Sequence, residues 1–450
     1  MKVIWRITLY ALLPTLCIAQ TPDTLWTQLY GGNNTDVIHD VIETQYHGFL
    51  FTGYTHSSGA GGADVWIAMT DSAGSLLWEK AYGGNGQDIG NQIIVTADNG
   101  YIVIGRTDSY GSGETDIWVI RTDSLGDSLW TRSYGTSGWD FGESLVETSD
   151  QGYVLAGSMT NGSRNLWLSK IDADGNILWE KTYGGDGSDA GYSICNTNDN
   201  GFIVTGINSS INNGIGDIWL LKTDSLGDTL WTEIYGDTLG GDCGYEVVQT
   251  SDLGYLICGY TGLTGMGDQT GVVIKTDSQG TLLWQKYITS GFINAARSCT
   301  QIHDNDYIIT GYYHDDMMMY GNIWTMKLDS LGDTIWTYIY DRNDMNLSYS
   351  AIQTADSGYV VGGTTEEPYS YDGLLIKFES ETGIHETSDH DISFRSFHQT
   401  IVNGPLQLSP NYSQKIFDIT GRQIHTLNPA PGVYFIKVDG EIRQKVIKIR

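Results

Sequence analysis

The chain has 450 residues, with 57 glycines, 12% aromatic residues and a net charge of -30 from 24 basic and 54 acidic side chains. That length allows two or three domains. The charge disfavours nucleic acid and anionic membrane surfaces as partners. Abundant Gly, Tyr and Trp with few helical patterns suit short strands joined by glycine turns.

Lys2 and Arg6, the apolar run from Ile7 to Ala19 and the small residue before Gln20 read as an export signal over 1–19. The run is short for a membrane span, and no later segment is apolar enough to be one. Cys195, Cys243, Cys258 and Cys299 fit neither a CxxC metal pattern nor a dense disulfide framework. Three of them lie among strand-like apolar residues and read as small buried hydrophobes.

From Trp26 one phrase recurs, marked by Trp26, Trp78, Trp130, Trp179, Trp231, Trp284 and Trp336 at spacings of 49 to 53 residues. The second copy holds four strand-like runs, "LWEKAY", "NQIIVT", "GYIVIG" and "DIWVIRT". "TADNGY" and "TDSLGD" supply hairpin turns between them, since Asp bonds backbone two residues on and Gly accepts positive φ. Each copy is therefore a four-stranded antiparallel unit of propeller-blade size. The first "LW" strand, "TLWTQLY", precedes any full unit, and the last copy lacks one. The chain is expected to be all-β, a seven-bladed propeller over 20–384 whose N-terminal strand completes blade seven and removes its open edge.

One face should carry the tight turns and the other the longer, variable connections, where a partner is expected. Trp139 in an inter-blade segment, with Tyr110, Tyr312, Tyr313 and His314 read as loop residues, are the candidate ligand contacts. The marker Trp residues and those of the "DIW" strands recur in blade after blade, so they are assigned to packing. One position before the first strand of every blade is Asp36, Asp88, Asp140, Asp189, Asp242, Asn294 or Asn346. Five like charges around a channel mouth need an offset. Asx-type bonds to their own loops would supply one, and a cation such as calcium is the alternative. "DADGN" at 172–176 lacks the rest of a calcium loop and reads as a hairpin turn.

No GxSxG elbow or HExxH helix is present, and the glycine-rich "GAGGAD" lies in a blade loop, so no catalytic motif is assigned. Acids are numerous, but no pair stands apart from the repeat as a glycosidase would require.

After Gly383 the composition changes. Residues 385–404 read as a linker, and "QKIFDITGRQIHTL", "PGVYFIKVDG" and "RQKVIKIR" read as alternating strands of a small β-sandwich-like domain over 405–450. "IFDITGRQI", "PGVYFIKV" and the end "KVIKI" resemble the C-terminal (type A) sorting domain of the bacterial type IX secretion system. One departure is that "SPNYSQ" stands where the family usually has a "PNP"-like strand. The resemblance implies passage through the outer membrane by that machinery and display on the cell surface or release. The repeats resemble glycine-rich propeller repeats of exported proteins carrying this tail. The triplets at Ser124, Ser225, Thr229 and Thr334 look like the O-glycosylation sequon of the phylum that uses the system. The expectation is a monomeric, non-enzymatic surface or secreted module binding a glycan or protein. The alternatives are an extracellular hydrolase such as an endoglucanase-like glycosidase, and a structural surface protein.

Overall fold

The computed structural model describes residues 21–380, apart from 212–214, 237–239, 263–268, 290–292, 315–320, 343 and 368–369, together with the backbone of five strands between 398 and 448. The export signal, the "DDMMMY" loop and most of the linker lie outside the described residues.

Seven four-stranded antiparallel sheets follow one another along the chain. Blade one comprises Asp36–Glu43, Phe49–Thr55, Asp64–Thr70 and Leu76–Tyr82, in that spatial order. The innermost strand of each blade contacts its counterparts on both sides, and the first meets the last, Asn346–Gln353, so the blades close into a ring. The N-terminal strand Thr24–Tyr30 pairs antiparallel with Ser370–Phe378, the third strand of blade seven, as the strand count requires. Closure gives blade seven its fourth strand, so all seven sheets have the same four-stranded make-up.

The core lies between blades rather than within them. Trp66 is 1% exposed and packs with Phe51 of its own blade and with Leu375 and Val360 of blade seven. Trp118, Trp167, Trp219 and Trp324 fill the same place at other junctions. Six of the marker Trp residues, Trp26, Trp78, Trp130, Trp179, Trp231 and Trp284, press on the outer turn of the next blade. Gly126, at φ 78°, lies under the ring of Trp78, and Gly74, Gly175, Gly227, Gly280 and Gly332 repeat the arrangement. A side chain there would meet the indole and adopt a backbone conformation that only glycine takes cheaply. The Tyr that follows the marker completes the joint, as when Tyr30 Oη donates to Gly74 O at 2.6 Å and Tyr134 Oη to Gly175 O at 2.7 Å. The repeated W…Y…DSLGD phrase is thus one inter-blade latch.

The inner turns correct one detail. Their left-handed residue is Asn99, at φ 64°, and its counterparts His47, Gln151, Asn200, Leu253, Asn305 and Ser357, not the next residue, which is glycine in six of the seven turns. Gly100 is needed for space, because a Cβ there would strike the Thr122 carbonyl.

The tight-turn face also carries one buried cation per blade in six blades. Lys275 Nζ, its side chain 2% exposed, reaches Asp252 of the adjacent inner turn at 2.9 Å. Lys222 with Asp199, Lys377 with Asp356 and Arg121 with Asp98 repeat the pair.

Residues 384–450 form a separate compact unit. Its described strands, His398–Val402, Gln414–Asp418, Gln423–Ile424, Gly432–Val438 and Glu441–Lys448, make one five-stranded sheet in which the first pairs parallel with the last. No helix among the described residues is long and apolar enough to cross a membrane.

Candidate binding site

Every innermost strand carries a β-bulge at the same place, with the register slipping around residues 39, 91, 143, 192, 245, 297 and 349. A bulge leaves one residue unpaired and re-aims its side chain. Here the bulged residues line a central lumen of about 210 Å³. They are His39, Asn91, Glu143, Tyr192, Tyr245, Arg297 and Tyr349, with five residue types among seven blades.

The residue after each bulge has a different task. Asp40, Gln92, Ser144, Ser193, Glu246, Ser298 and Ser350 each accept a hydrogen bond from a backbone N–H of the next blade. The N–H of Ile93 donates to Asp40 Oδ2 at 3.0 Å, that of Leu145 to Gln92 Oε1 at 2.6 Å, and that of Cys299 to Glu246 Oε2 at 2.6 Å. The four serines continue the belt, and the last bond joins Ser350 to the N–H of Val41 across the closure. Seven side chains thus satisfy seven buried donors that would otherwise be costly.

These bonds decide which lumen acids are free to act. Asp40 also accepts from Ser350 Oγ at 2.9 Å, so both its oxygens are engaged. Glu246 is tied to Cys299, whose thiol lies with that of Cys258 in the adjacent core. Among the described residues Glu143 accepts only from Asn91 Nδ2, at 3.2 Å. Burial pushes the Asp40 carboxyl up to about 6 against its bonds to Ile93 and Ser350. Burial pushes Glu143 up to about 7 against the pull of Arg164, Arg106 and Arg297, and Glu246 up to about 7 against Ser298 and Cys299. Burial also lowers His39 to about 4, so it stays neutral while its Nδ1 sits 2.9 Å from Gly90 O.

Cations gather at the variable-face end. Arg297 lies over the Tyr245 ring at 3.9 Å and beside that of Tyr349 at 5.2 Å. Arg106 and Arg164 flank Phe141 at 5.3 and 4.9 Å. The second strands add Tyr54, 5.6 Å from His39, and Tyr260, 5.7 Å from Tyr245.

Of the contacts expected from the sequence, Tyr312 is brought to this mouth, where it interacts electrostatically with Arg297 and stacks edge-on with His314 at 5.6 Å. Tyr312, Tyr313 and His314 belong to the strand Tyr307–His314 rather than to a loop. Strand alternation sends Tyr313 the other way, into the core at 8% exposure. Trp139 is 58% exposed and Tyr110 48% exposed, the latter donating to Gly83 O at 2.8 Å. Neither lines the lumen.

The ring carboxylates are buried and bonded within their own blades. Asp88 accepts from Gly84 N at 2.8 Å, Ser109 Oγ at 2.6 Å and Thr107 Oγ1. Asp36 repeats this with Gly32, Ser57 and Thr55, and Asp189 with Gly185, Ser209 and Ser210. Asp140 uses Thr136 and Thr160, and Asp242 accepts from Gly262 N at 3.0 Å. Of the two amides in the ring, Asn346 Nδ2 donates across the junction to Gly321 O of blade six at 3.0 Å, and Asn294 accepts from Trp324 Nε1 of its own blade at 3.2 Å. Sequence reasoning missed the second acid at these junctions. Asp64 is 1% exposed, its Oδ1 has no hydrogen-bond partner, and burial together with nearby Asp88 raises its carboxyl above the usual range.

It also missed the bulged ring, whose only trace in the sequence is that the residue three after each ring Asp or Asn is large and varied, whereas the one before it is small in six of seven blades.

No family model and no curated protein matches the chain. Among solved structures, the Neurospora crassa Pan2 WD40 domain is similar at TM-score 0.48 and 10% identity, covering 76% of this chain and 89% of its own. Sqt1 from Chaetomium thermophilum gives 0.45 and 10%, covering 77% and 82%. BBS1N, solved in complex with ARL6DN, gives 0.48 and 10%, covering 80% and 97%.

Proposed function

We propose that the chain is an exported, non-enzymatic binding module whose ligand enters the channel from the variable face. The observation that carries this reading is the bulged ring. A frame that repeats its latches, cores and turns departs from repetition at the seven side chains lining one lumen. Structural need explains the repeated positions and leaves the bulged ones unexplained. Aromatic and hydrogen-bonding groups converging on a concavity are what a ligand site requires.

The hydrolase alternative is weaker on this geometry. Glycoside hydrolysis uses two carboxyl groups about 5 to 10 Å apart, one to protonate and one to attack or activate water. Two of the three lumen acids, Asp40 and Glu246, are held by backbone donors of neighbouring blades, which leaves Glu143 without a free partner.

Export rests on the sequence of the tail, which resembles a type IX sorting domain, and on the signal-like first 19 residues. The partners proposed are that secretion machinery and a glycan or protein ligand. Removing residues 405–450 should leave the propeller in the periplasm, and unchanged surface delivery would refute the sorting role. For the binding role, the purified chain should be screened against glycans and peptides, and each hit repeated with Tyr349→Ala. Hits that ignore the channel substitution would place the ligand elsewhere.

A further inference from the structure

The chain has 54 acids, yet the mouth of its channel gathers arginines. Between residues 21 and 380 there are 14 Lys and Arg side chains. Nine of them hold a carboxylate: Lys80, Arg121, Lys170, Lys181, Lys222, Lys275, Lys327, Arg342 and Lys377. Arg132 and Lys286 lie outside the lumen and bond backbone carbonyls. The remaining three are Arg106, Arg164 and Arg297, and among the described residues none of them has a carboxylate in salt-bridge contact. Glu143 is the one lumen acid within their electrostatic reach, and burial holds its carboxyl up at about 7, so three cations at one place have a single, weakly ionised counter-group and can receive an anion.

We propose that the channel mouth binds an anionic sugar residue, its carboxylate or sulfate held by Arg297 with Arg106 and Arg164, and its ring packed against Tyr245, Tyr312 and Tyr349. This rests on the reading of the lumen as a ligand site. The guanidinium fork matches a planar oxyanion with two parallel donors, and its own plane already stacks on tyrosine. Among the described residues Arg297 makes ring contacts only, which leaves its N–H donors for a ligand. A lumen of about 210 Å³ falls below the usual 300 to 1,000 Å³ of sites for drug-sized ligands, so one ring enters rather than a whole chain. Tyrosines offer a sugar both an apolar face and a hydroxyl. Asn91 and His39 add polar edges around the same space. The molecule's overall negative charge does not forbid this, because at physiological salt fields fade over about 8 Å and the arginines dominate at contact.

The test is calorimetric titration of the purified full chain with four short probes. They are a uronate-terminated oligosaccharide, its sulfated counterpart, its neutral counterpart and an acidic peptide. The uronate or the sulfated probe should bind at least about tenfold more tightly than the neutral one, and comparison of those two identifies the oxyanion. Arg297→Gln and the double variant Arg106→Gln/Arg164→Gln should each lose about tenfold or more, with Arg297→Lys recovering part and all melting temperatures staying near the parent's. Equal binding of the neutral probe, or no effect of the arginine variants, would overturn the inference. Binding of the peptide alone would overturn the saccharide class. If a probe other than the acidic sugars binds and Tyr349→Ala weakens it, the channel remains a ligand site and only the anion inference fails. If nothing binds, both fall.

Discussion

The tight-turn face and the central channel are made by the same strands, yet they obey opposite rules. On the tight-turn face one solution is repeated: a buried Lys or Arg on an inner-turn Asp, and a Trp and Tyr on the next blade's glycine turn. In the channel, seven equivalent bulges present His, Asn, Glu, Tyr, Tyr, Arg and Tyr. Repetition marks what every blade needs in order to hold its neighbour. Departure from it, at a position kept in register by a repeated bulge, marks what the ring as a whole does.

The largest test of that contrast removes a repeated part. Trp66→Ala, in the junction between blades seven and one, should destabilise the chain by about 3 to 5 kcal/mol, as large buried aromatics do. Chemical denaturation would measure it, and a loss below about 1 kcal/mol would show that the junctions are not the core described. Deleting residues 21–31 should lower the melting temperature further still, because blade seven then ends on an open strand.

A smaller effect is expected from the cations of the same face. Asp252→Ala leaves the Lys275 ammonium without its carboxylate and should cost about 1 to 3 kcal/mol. Lys275→Met, which removes the charge and keeps the volume, should cost less. The reverse ranking would mean that the Asp serves only its turn.

The two regions also titrate in opposite senses. Asp150 is held down to about 2, chiefly by its bond to Lys170, so the stability it contributes is present above the unfolded value of about 3.9 and is lost as pH falls through 2. Glu143 and Glu246 are pushed up to about 7, so their contribution is complete below the unfolded value of about 4.3 and is lost as pH rises through 7. Stability should therefore peak near pH 4 to 5. Glu143→Gln should flatten the alkaline limb without touching the acid one. His39, lowered to about 4 by burial, works in the opposite sense: its penalty is relieved as pH rises from 4 towards the unfolded value of about 6.5, so it offsets part of that loss.

The smallest stability effect is expected in the lumen itself. Tyr349→Ala and Arg297→Gln change side chains that line the lumen rather than a packed junction, so each should change stability by less than about 1 kcal/mol while altering ligand binding. A large destabilisation would recast the bulged ring as part of the frame.

Much of this was legible in the sequence because it is local or periodic. Four strand runs, two turn types and a recurring Trp specify a blade. An orphan strand at one end and a missing one at the other specify how the ring closes, since unpaired edges are costly. The assignment of the Trp residues to packing follows from their recurrence, and the bonding of the ring Asp residues to their own loops follows from Asx chemistry. What the sequence could not show is what meets across blades. Glu143 and Arg297 stand 154 residues apart in the chain, belong to no motif, and become neighbours across a lumen only when seven sheets close. The belt from Asp40 to Ser350 is equally hidden, because each member bonds an N–H about fifty residues away, or about 310 across the closure. The same holds for Tyr313, whose adjacency to Tyr312 suggested one surface until strand alternation placed one ring at the channel mouth and the other in the core. Local chemistry determined the blade; the closed ring alone decided which side chains share a space.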